Sequence, residues 1–545
     1  MSGRRRRAPN PRTRAGRRGL LLGAGVVVAG GAVAAAVTLW PAGDGGGGTR
    51  ASDSASAGTG STSASPSPSR SYPLSKPPHT IPAVRAHTAA HGPGWRPARG
   101  ARVVVDDDGL ADEGKLLAGE LRMTYGGRNG ARSGDVELAL DGGGDAESYT
   151  LTVGGGQVRI AGPGQAGVFY GTRTLKQEVH DGGTAPEGVV RDGPAKPVRG
   201  FMLDIARKHF TAGWIEDRVR ELGDLKYNEL GLHFSDDQGF RIESDTHPEV
   251  VSEEHLSKTE VKRIVALAAE RHIAVVPEID SPGHLGAVIA AHPDLQLRNA
   301  QGASASRGTL DISKPGAARI VDELLGEYAD LFPGSAWHLG GDEYQALTAS
   351  NPAASYPQLA SAVVKRYGAG ATVADLATGW LNDRAAVVAR HGRTPRAWND
   401  GFYRSVKKAS VSKDVRVAYW TGKEYGARQP TEYLAAGREV VNYNDEFLYY
   451  VLGQPQTFVY PTGQRIYEQW TPRVLRGTTA VPASYDDRIR GGVFAVWCDM
   501  SGAQTQDQVA AGIRMPLRAM VQKLWDPGKP ELSWKDFQSL ANRIG

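Results

Sequence analysis

Two adjacent acidic residues, Asp342 and Glu343, have the residue types and the setting for general acid–base chemistry. They follow a short apolar run and two glycines, in the segment HLGGDEY at positions 338–344. Neighbouring carboxylates at the end of a strand point in different directions, so their environments and their pKa values can differ. The glycines allow backbone and substrate to approach closely. The alternative is that the pair caps the next helix, a position that Asp and Glu favour.

Polar or aromatic residues follow the other apolar runs in the C-terminal part of the chain as well. Eight such runs lie at positions 201–205, 229–234, 273–279, 336–340, 394–398, 415–420, 440–442 and 492–497. The side chains at or just after their ends are, in chain order, Arg207, Asp236, Asp280 with His284, Asp342 with Glu343, Trp398, Trp420, Tyr449, and Trp497 with Asp499. If these ends meet in space, they form one site lined by acids and aromatic rings.

The elements that must position these residues follow from the hydrophobic spacing. Amphipathic helical patterns lie between several of the runs, at 259–271, 316–331 and 376–391. Eight strand–helix units predict an α/β fold, a (β/α)8 TIM barrel, in which all strand ends meet at one rim. A doubly wound open sheet is the alternative.

A rim of carboxylates, an arginine and tryptophans suits carbohydrate. Sugar rings stack on indole, their hydroxyl groups bond to carboxylate and guanidinium, and carboxylates supply the acid–base chemistry that glycosidic bonds require. His284 and His338 show no tight metal-ligand spacing, so we expect neither a catalytic metal nor a cofactor. Asp280 is expected to support the site, and the alternative is that it only braces the barrel rim.

The N-terminal end of the chain has the composition of an export segment. Residues 1–43 hold eight arginines and no acidic residue, and an uncharged apolar stretch follows Arg18. We predict an export signal or signal anchor over residues 1–42 and a disordered linker rich in Gly, Ser, Ala and Pro over residues 43–72. The body of the chain is then extracellular, either secreted or held at the outer face of the membrane by this segment. Because the whole chain carries a net charge of only +5, its remainder is mildly acidic, which argues against nucleic-acid binding.

Two folded domains are expected after the linker. Residues 73–194 predict a small α+β domain, with strand-like runs at 101–105, 136–140, 149–153 and 157–160 and helical patterns at 110–123 and 166–178. Residues 195–545 predict the barrel. The single cysteine, Cys498, excludes a disulfide within the chain and is expected to be a buried apolar residue.

Five long motifs resemble those of glycoside hydrolase family twenty, the β-N-acetylhexosaminidases. In chain order they are MLDIARKHF (202–210), HFSDDQGFRIE (233–243), VPEIDSPGH (276–284), HLGGDEY (338–344) and VFAVWCD (493–499). The segments 397–403 and 442–454 are similar to the streptococcal-type β-N-acetylglucosaminidase branch. The resemblance extends from about residue 82 to the C-terminus and includes the small α+β domain typical of the family.

The resemblance implies a retaining mechanism in which the substrate's own acetamido oxygen is the nucleophile and an oxazolinium ion is the intermediate. By this resemblance, Asp342 orients the acetamido N–H, and Glu343 protonates the leaving oxygen and then acts as base toward water. Asp236 and His284 would support Glu343 electrostatically.

The resemblance also implies a set of substrate contacts. The ring hydroxyls would be bound by Arg207 and Asp499, the acetamido pocket would be walled by Trp398, Trp420 and Trp497, and Tyr449 would donate to the acetamido oxygen. Many members of the family have an acid or asparagine two residues after this tyrosine, whereas this chain has Tyr449-Tyr450-Val451. The partner implied is a carbohydrate, a terminal β-linked N-acetylglucosamine or N-acetylgalactosamine. Two alternatives are release of a disaccharide, as by lacto-N-biosidases, and a glycan-binding module without catalysis.

Overall fold

A computed structural model describes residues 71–306, 308–424 and 427–545. The predicted export segment and all but the last two residues of the predicted linker lie outside these ranges. Among the described residues, no helix combines the length and the apolar character that a membrane crossing requires.

The N-terminal part of the described chain is an α+β unit with a seven-stranded mixed sheet. Its strands are β1 (His87–Ala89), β2 (Arg102–Val105), β3 (Thr124–Gly127), β4 (Val136–Leu140), β5 (Tyr149–Gly154), β6 (Gln157–Gly162) and β7 (Gly188–Asp192), and its helices are α1 (Ala111–Glu120) and α2 (Gln165–Gly182). The strand order is β1-β7-β5-β6-β4-β2-β3, and both helices pack against this sheet. The four predicted strands and two predicted helices are all present. Strands β1, β3 and β7 were not predicted; β1 has only three residues and β3 ends in two glycines.

The C-terminal part is a closed barrel of parallel strands. These are β8 (Val198–Asp204), β9 (Glu229–Ser235), β10 (Ala274–Ile279), β11 (Ala336–His338), β12 (Thr394–Trp398), β13 (Arg416–Tyr419), β14 (Val440–Asn442), β15 (Tyr449–Val451) and β16 (Ile489–Trp497). Strand β16 pairs with β8, and it also pairs with β14 through its first residues and with β15 through its last. The predicted (β/α)8 barrel is confirmed, and the closure excludes the open sheet.

Helices surround the barrel. They are α3 (Ala212–Asp224), α4 (Lys258–Ala269), α5 (Gly286–Ala291), α6 (Pro315–Ala329), α7 (Pro352–Ser355), α8 (Pro357–Tyr367), α9 (Val373–Arg390), α10 (Pro430–Ala435), α11 (Gly463–Gln469), α12 (Gln506–Trp525) and α13 (Trp534–Ile544). Capping boxes begin α4, α9 and α12, where an N-cap side chain and the third helical residue satisfy each other's backbone N–H groups. All seven residues of β8 are buried, as a parallel strand covered on both faces requires.

Charged groups join the α+β unit to the barrel at a buried interface. The guanidinium of Arg199, at the start of the barrel, lies 2.7 Å from Glu147 and donates to the Tyr170 hydroxyl at 2.9 Å. The Trp525 indole at the end of α12 packs in the core of the α+β unit and donates to Asp192 at 2.9 Å. These contacts fix the start of β8 and the end of α12 against the α+β unit.

Candidate active site

The carboxyl ends of successive barrel strands bring five acidic positions to one rim. Asp204 ends β8, Asp236 and Asp280 directly follow β9 and β10, Asp342 lies four residues beyond β11, and Asp400 two residues beyond β12. All but Asp342 are nearly inaccessible to solvent. Buried carboxylates require compensating partners, and hydrogen bonds are accepted by Asp204, Asp236, Asp280 and Asp400.

His284 links the exposed acid to a buried one. Its Nε2 lies 3.5 Å from Oε2 of Glu343, and its Nδ1 lies 3.4 Å from Oδ1 of Asp236. Burial lowers the pKa of His284, but the carboxylates of Asp236, Asp280 and Asp342 outweigh this and raise it well above the ordinary value. The hydrogen bond to His284, together with its charge, lowers the pKa of Glu343 despite partial burial. These shifts favour the imidazolium form of His284 and the carboxylate form of Glu343.

Asp342 and Asp280 form a second pair, in which the pKa of each carboxyl group is raised. Burial, and then repulsion from Asp280, raises the pKa of Asp342 well above its usual range. Burial also raises the pKa of Asp280 to about 7, although the charge of His284 opposes this. Each of the two carboxyl groups therefore disfavours the ionisation of the other. The adjacent residues Asp342 and Glu343 have their pKa values pushed apart, as their sequence setting predicted.

The backbone that carries this pair is strained. Gly340 and Gly341 have φ values of +64° and +98°, and Glu343 itself has φ +48°. The Gly341 N–H donates to Oδ1 of Asp280 at 2.8 Å, and a Cβ at Gly340 would lie 1.7 Å from that same oxygen. The Glu343 N–H donates to Oδ2 of Asp400 at 3.2 Å. The glycines are thus required for the acids to reach the rim.

Arg207 joins the same network from strand β8. Its two terminal nitrogens lie 3.0 Å from Asp204 and 2.7 Å from Asp236. Attraction to Asp204, Asp236 and Asp499 raises its pKa against the effect of burial. Asp499 is exposed at the end of β16. Arg207 therefore contacts Asp236, one of the residues expected to support Glu343, and this contact was not predicted.

The predicted aromatic residues form one cluster, with Trp398, Trp420 and Trp497 at the C-terminal ends of β12, β13 and β16 and Tyr449 at the first residue of β15. Trp420 stacks on Tyr449 with ring centroids 5.8 Å apart and planes 7° apart, and Tyr449 lies 5.8 Å from Trp497. Trp398 is 1% exposed and packs 6.0 Å behind Trp497. The Trp420 indole donates to Asp400 at 2.8 Å. Because Asp400 also accepts from the Glu343 N–H, this bond fixes the Trp420 ring near Glu343.

Three buried residues extend the network beneath the site and were missed by sequence reasoning. Glu278 lies 2.9 Å from the Trp398 indole nitrogen, 2.8 Å from His338 Nδ1 and 3.0 Å from His233 Nδ1. His233 in turn lies 2.8 Å from Asp236, and these acids raise its pKa to about 10 despite its burial. The available signal was an acid inside an otherwise apolar strand, in VVPEI at 275–279.

A cavity of about 310 Å³ opens beside Glu343 and His284. It is also lined by Asp400, Tyr403 and Glu424. Burial, followed by repulsion from Glu343 and Asp400, raises the pKa of Glu424 to about 7. Sequence reasoning assigned no role to Glu424, which lies in a loop without a motif. The donor atoms of Asp280, His284 and Asp342 lie within 4.8 Å of one another, so these are the residues here that could hold a metal ion.

Comparison with known proteins identifies the family of this chain. The description "Glycosyl hydrolase family 20, catalytic domain" matches residues 197–525, and "Glycosyl hydrolase family 20, domain 2" matches residues 77–193. The chain belongs to glycosyl hydrolase family 20. Both matched ranges lie inside the predicted domains 73–194 and 195–545.

Relatives in this family are similar over different shares of the chain. The lacto-N-biosidase of Bifidobacterium bifidum is 30% identical over 479 residues, which are 86% of this chain and 42% of that protein. The β-hexosaminidase of Akkermansia muciniphila is 30% identical over 285 residues, which are 47% of this chain and 56% of that protein. This chain therefore spans about half the length of these curated relatives.

Solved structures of this family have the same fold. A mutant Streptomyces plicatus β-hexosaminidase in complex with the product GlcNAc superposes with a TM-score of 0.68 at 25% identity, covering 87% of this chain and 95% of that one. The family 20 β-N-acetylhexosaminidase of Streptomyces coelicolor A3(2) gives a TM-score of 0.68 at 25% identity over 86% and 95% of the two chains.

Proposed function

We propose that this family 20 chain hydrolyses terminal β-linked N-acetylhexosamine with retention, using the substrate's acetamido group as nucleophile. Unsatisfied hydrogen-bonding atoms in the site support this proposal most directly. Oδ1 of Asp342 is a buried acceptor and Nε1 of Trp497 a buried donor, and neither has a partner among the described residues. Leaving such groups unpaired is costly, so a ligand that completes them is favoured. An acetamido group offers one N–H that matches this acceptor. Its carbonyl oxygen matches the Trp497 donor and the hydroxyl of the adjacent Tyr449, the donor that the family resemblance implies.

The position of the two acids argues against a nucleophilic carboxylate. Adjacent residues on one strand end do not easily flank the anomeric carbon on opposite faces, as a two-carboxylate displacement requires. The acetamido oxygen is already part of the substrate, so its attack avoids much of the entropy cost of bringing two reactants together. Asp342 accepts the acetamido N–H and stabilises the positive charge that develops on this nitrogen.

The bond changes then involve only the substrate, Glu343 and one water. The acetamido oxygen attacks the anomeric carbon while the glycosidic C–O bond breaks, and Glu343 gives its proton to the leaving oxygen. The oxazolinium ion forms at this point. Glu343 next takes a proton from water, whose oxygen attacks the anomeric carbon and opens the ring with net retention. The Glu343 carboxyl group ends protonated, as it began.

The proton that Glu343 needs is held next to it in the free site. His284 is an imidazolium 3.5 Å from the Glu343 carboxylate. A sugar placed over Glu343 removes water from its half-exposed carboxyl group, and desolvation favours the neutral acid. Substrate binding therefore moves a proton from His284 onto Glu343. Asp236 lies 3.4 Å from the other nitrogen of this ring, and Arg207 lies 2.7 Å from Asp236.

A panel of p-nitrophenyl β-glycosides tests this activity. We expect release of nitrophenol from the N-acetylglucosaminide, with or without activity on the N-acetylgalactosaminide, and none from the glucoside, which lacks the acetamido nucleophile. Equal activity on the glucoside and the N-acetylglucosaminide would contradict the substrate-assisted mechanism. Absence of hydrolysis across the panel would leave binding without catalysis as the function.

A disaccharide-releasing activity is the second candidate. It is favoured by the lacto-N-biosidase relative, whose similarity extends over 86% of this chain. The p-nitrophenyl glycoside of the disaccharide lacto-N-biose belongs in the same panel. Cleavage of that substrate without cleavage of the N-acetylglucosaminide would establish the second activity in place of the first.

Export of the enzyme to the cell exterior completes the proposal. Its support is the basic and then apolar segment over residues 1–42, followed by the Gly/Ser-rich stretch. Fractionation of cells that express the full chain should place the activity in the medium or on the outer surface. Recovery of the full-length protein free in the cytoplasm would contradict this part.

A further inference from the structure

A cluster of two histidines and two glutamates lies outside the proposed active site. Oε1 of Glu249 lies 3.0 Å from Nδ1 of His247 and 2.9 Å from Nε2 of His292. Nε2 of His247 lies 3.0 Å from Oε2 of Glu323 on α6. The donor atoms of His247, Glu249 and His292 all lie within 4.8 Å of one another.

The His247 ring lies between two carboxylates. A neutral imidazole has one N–H, whereas both ring nitrogens of His247 face a carboxylate oxygen at 3.0 Å. With Nε2–H donating to Glu323, the Nδ1 lone pair points at the Glu249 oxygen. A cation between these two atoms would replace that repulsion with attraction to both.

The backbone holds the two histidines in place. Each is the residue directly before a proline that begins a 3-10 helix, Pro248–Val250 in one case and Pro293–Leu295 in the other. These short helices are anchored by the buried side chains of Val250 and Leu295. The His247 N–H also donates to the Ser244 hydroxyl at 3.0 Å. The donors are therefore presented by fixed backbone.

We propose that His247, Glu249 and His292 bind one divalent transition-metal ion of the zinc type. Two imidazole nitrogens and one carboxylate oxygen are a donor set that zinc accepts, with water as a fourth ligand. Tetrahedral zinc with such ligands places its donors about 3.3 Å apart, so the contacts at 2.9 and 3.0 Å need only a small outward shift. Imidazole ligands disfavour the hard cations calcium and magnesium.

Glu323 is the supporting group of this site. Metal-bound histidines commonly donate their other ring N–H to a carboxylate, which fixes the tautomer and orients the ring. Glu323 has this relation to His247. The side chains of Glu249 and Glu323 are 43% and 47% exposed, so an ion can enter from solvent.

Zinc titration of the purified protein, without a histidine tag and stripped with EDTA, tests the proposal. Binding is followed by competition with a chromophoric chelator, and metal-free circular dichroism checks that each variant folds. We expect His247→Ala and His292→Ala each to remove one equivalent of bound zinc. Glu323→Gln should keep that equivalent and weaken its affinity by roughly 10–100-fold, the typical effect of losing such a support. His255→Ala, at an exposed histidine of the neighbouring loop, is the matched control and should bind as the wild type does.

The proposal is overturned if the wild type binds no zinc, or if the bound equivalents are the same in the wild type and in both histidine variants. An equivalent that persists in both variants belongs elsewhere, for example to Asp280, His284 and Asp342. Only the loss of one equivalent specific to His247 and His292 supports the site. Glycosidase activity does not enter this readout, so the test is independent of the proposed function.

Discussion

His284 Nε2 lies 3.5 Å from Oε2 of Glu343, and the other nitrogen of the same ring lies 3.4 Å from Oδ1 of Asp236. One imidazole ring thus connects the half-exposed acid at the rim to a fully buried carboxylate. The pKa of this ring is raised by the carboxylates of Asp236, Asp280 and Asp342. The hydrogen bond and the charge of the ring in turn lower the pKa of Glu343, so the buried carboxylates act on Glu343 through His284.

Glu343→Gln should slow hydrolysis of substrates with poor leaving groups by roughly 10²–10⁴, the usual contribution of general acid catalysis. Activated aryl glycosides leave without much protonation, so their bond-cleavage step should lose less. Steady-state kcat/KM on a natural-type oligosaccharide and on an activated aryl glycoside measures the difference. An equal loss on both substrates would reject Glu343 as the acid.

Substrate assistance predicts a graded effect of fluorine on the N-acetyl group. Each fluorine withdraws electrons from the acetamido oxygen and weakens it as a nucleophile, so turnover should fall from acetyl to trifluoroacetyl. A thiazoline analogue of the N-acetylglucosamine intermediate should inhibit strongly, because it resembles the transition state. Unchanged rates with the fluorinated substrates, when bond cleavage is limiting, or a covalent ester trapped on Asp342 would show a different mechanism.

Asp236→Asn should move the alkaline limb of the kcat/KM profile to lower pH. Asp236 is a main source of the raised pKa of His284, since its negative charge stabilises the imidazolium against the effect of burial. Without that charge, His284 loses its proton at lower pH and can no longer supply it to Glu343. Asp383→Asn, which removes an exposed ion pair with Arg366, is the control and should leave the profile in place. An unchanged profile in Asp236→Asn would show that His284 does not supply the proton to Glu343.

Gly340→Ala should abolish most activity and destabilise the protein. The new Cβ would lie 1.7 Å from Oδ1 of Asp280, and φ of +64° disfavours any residue with a side chain. Gly326→Ala is the matched control, because nothing lies within 4 Å of its added Cβ and alanine favours the helix by up to about 1 kcal/mol. Urea unfolding and kcat/KM of both variants give the comparison. Wild-type activity in Gly340→Ala would show that the turn before Asp342 tolerates a different conformation.

Glu178→Gln should make the protein's stability less dependent on pH. Glu178 is 4% exposed, neither of its carboxyl oxygens has a partner among the described residues, and burial raises its pKa to about 8 despite the charge of Lys226. The folded state then holds a proton that the unfolded state has lost above about pH 4.5, so folding becomes less favourable as pH rises toward 8.

The measurement is the free energy of unfolding by urea for the wild type and Glu178→Gln at pH 5 and pH 8. The difference between the two proteins should change by about 1–4 kcal/mol in favour of the variant over this range. Glu253→Gln, at an exposed position, should show no such change. Parallel pH dependence of wild type and Glu178→Gln would mean that Glu178 is ionised in the folded protein.

Much of the fold follows from the sequence because the signals are local. Continuous apolar runs predict strands buried on both faces, and their number and order predict the closed barrel that is observed. The position of Asp342 and Glu343 at the rim follows in the same way, since parallel strands all end at one edge. The division of the seventh barrel position between β14 and β15 was not predictable, because Tyr449–Val451 is a three-residue strand whose partner lies more than 40 residues away.

The site's electrostatics were decided only by the tertiary structure. From the sequence, Asp236, Asp280, His284 and Glu343 are polar residues at strand ends, and nothing local states which ones touch. The register between neighbouring strands and the closure of the barrel place Asp280 beside Asp342, and His284 between Asp236 and Glu343. Charge interactions in a low-dielectric interior change steeply over one or two ångströms, so these distances set which acid keeps its proton. The residue types therefore determined that acid–base chemistry is available. The packing across strands determined which of the acids favours its protonated form.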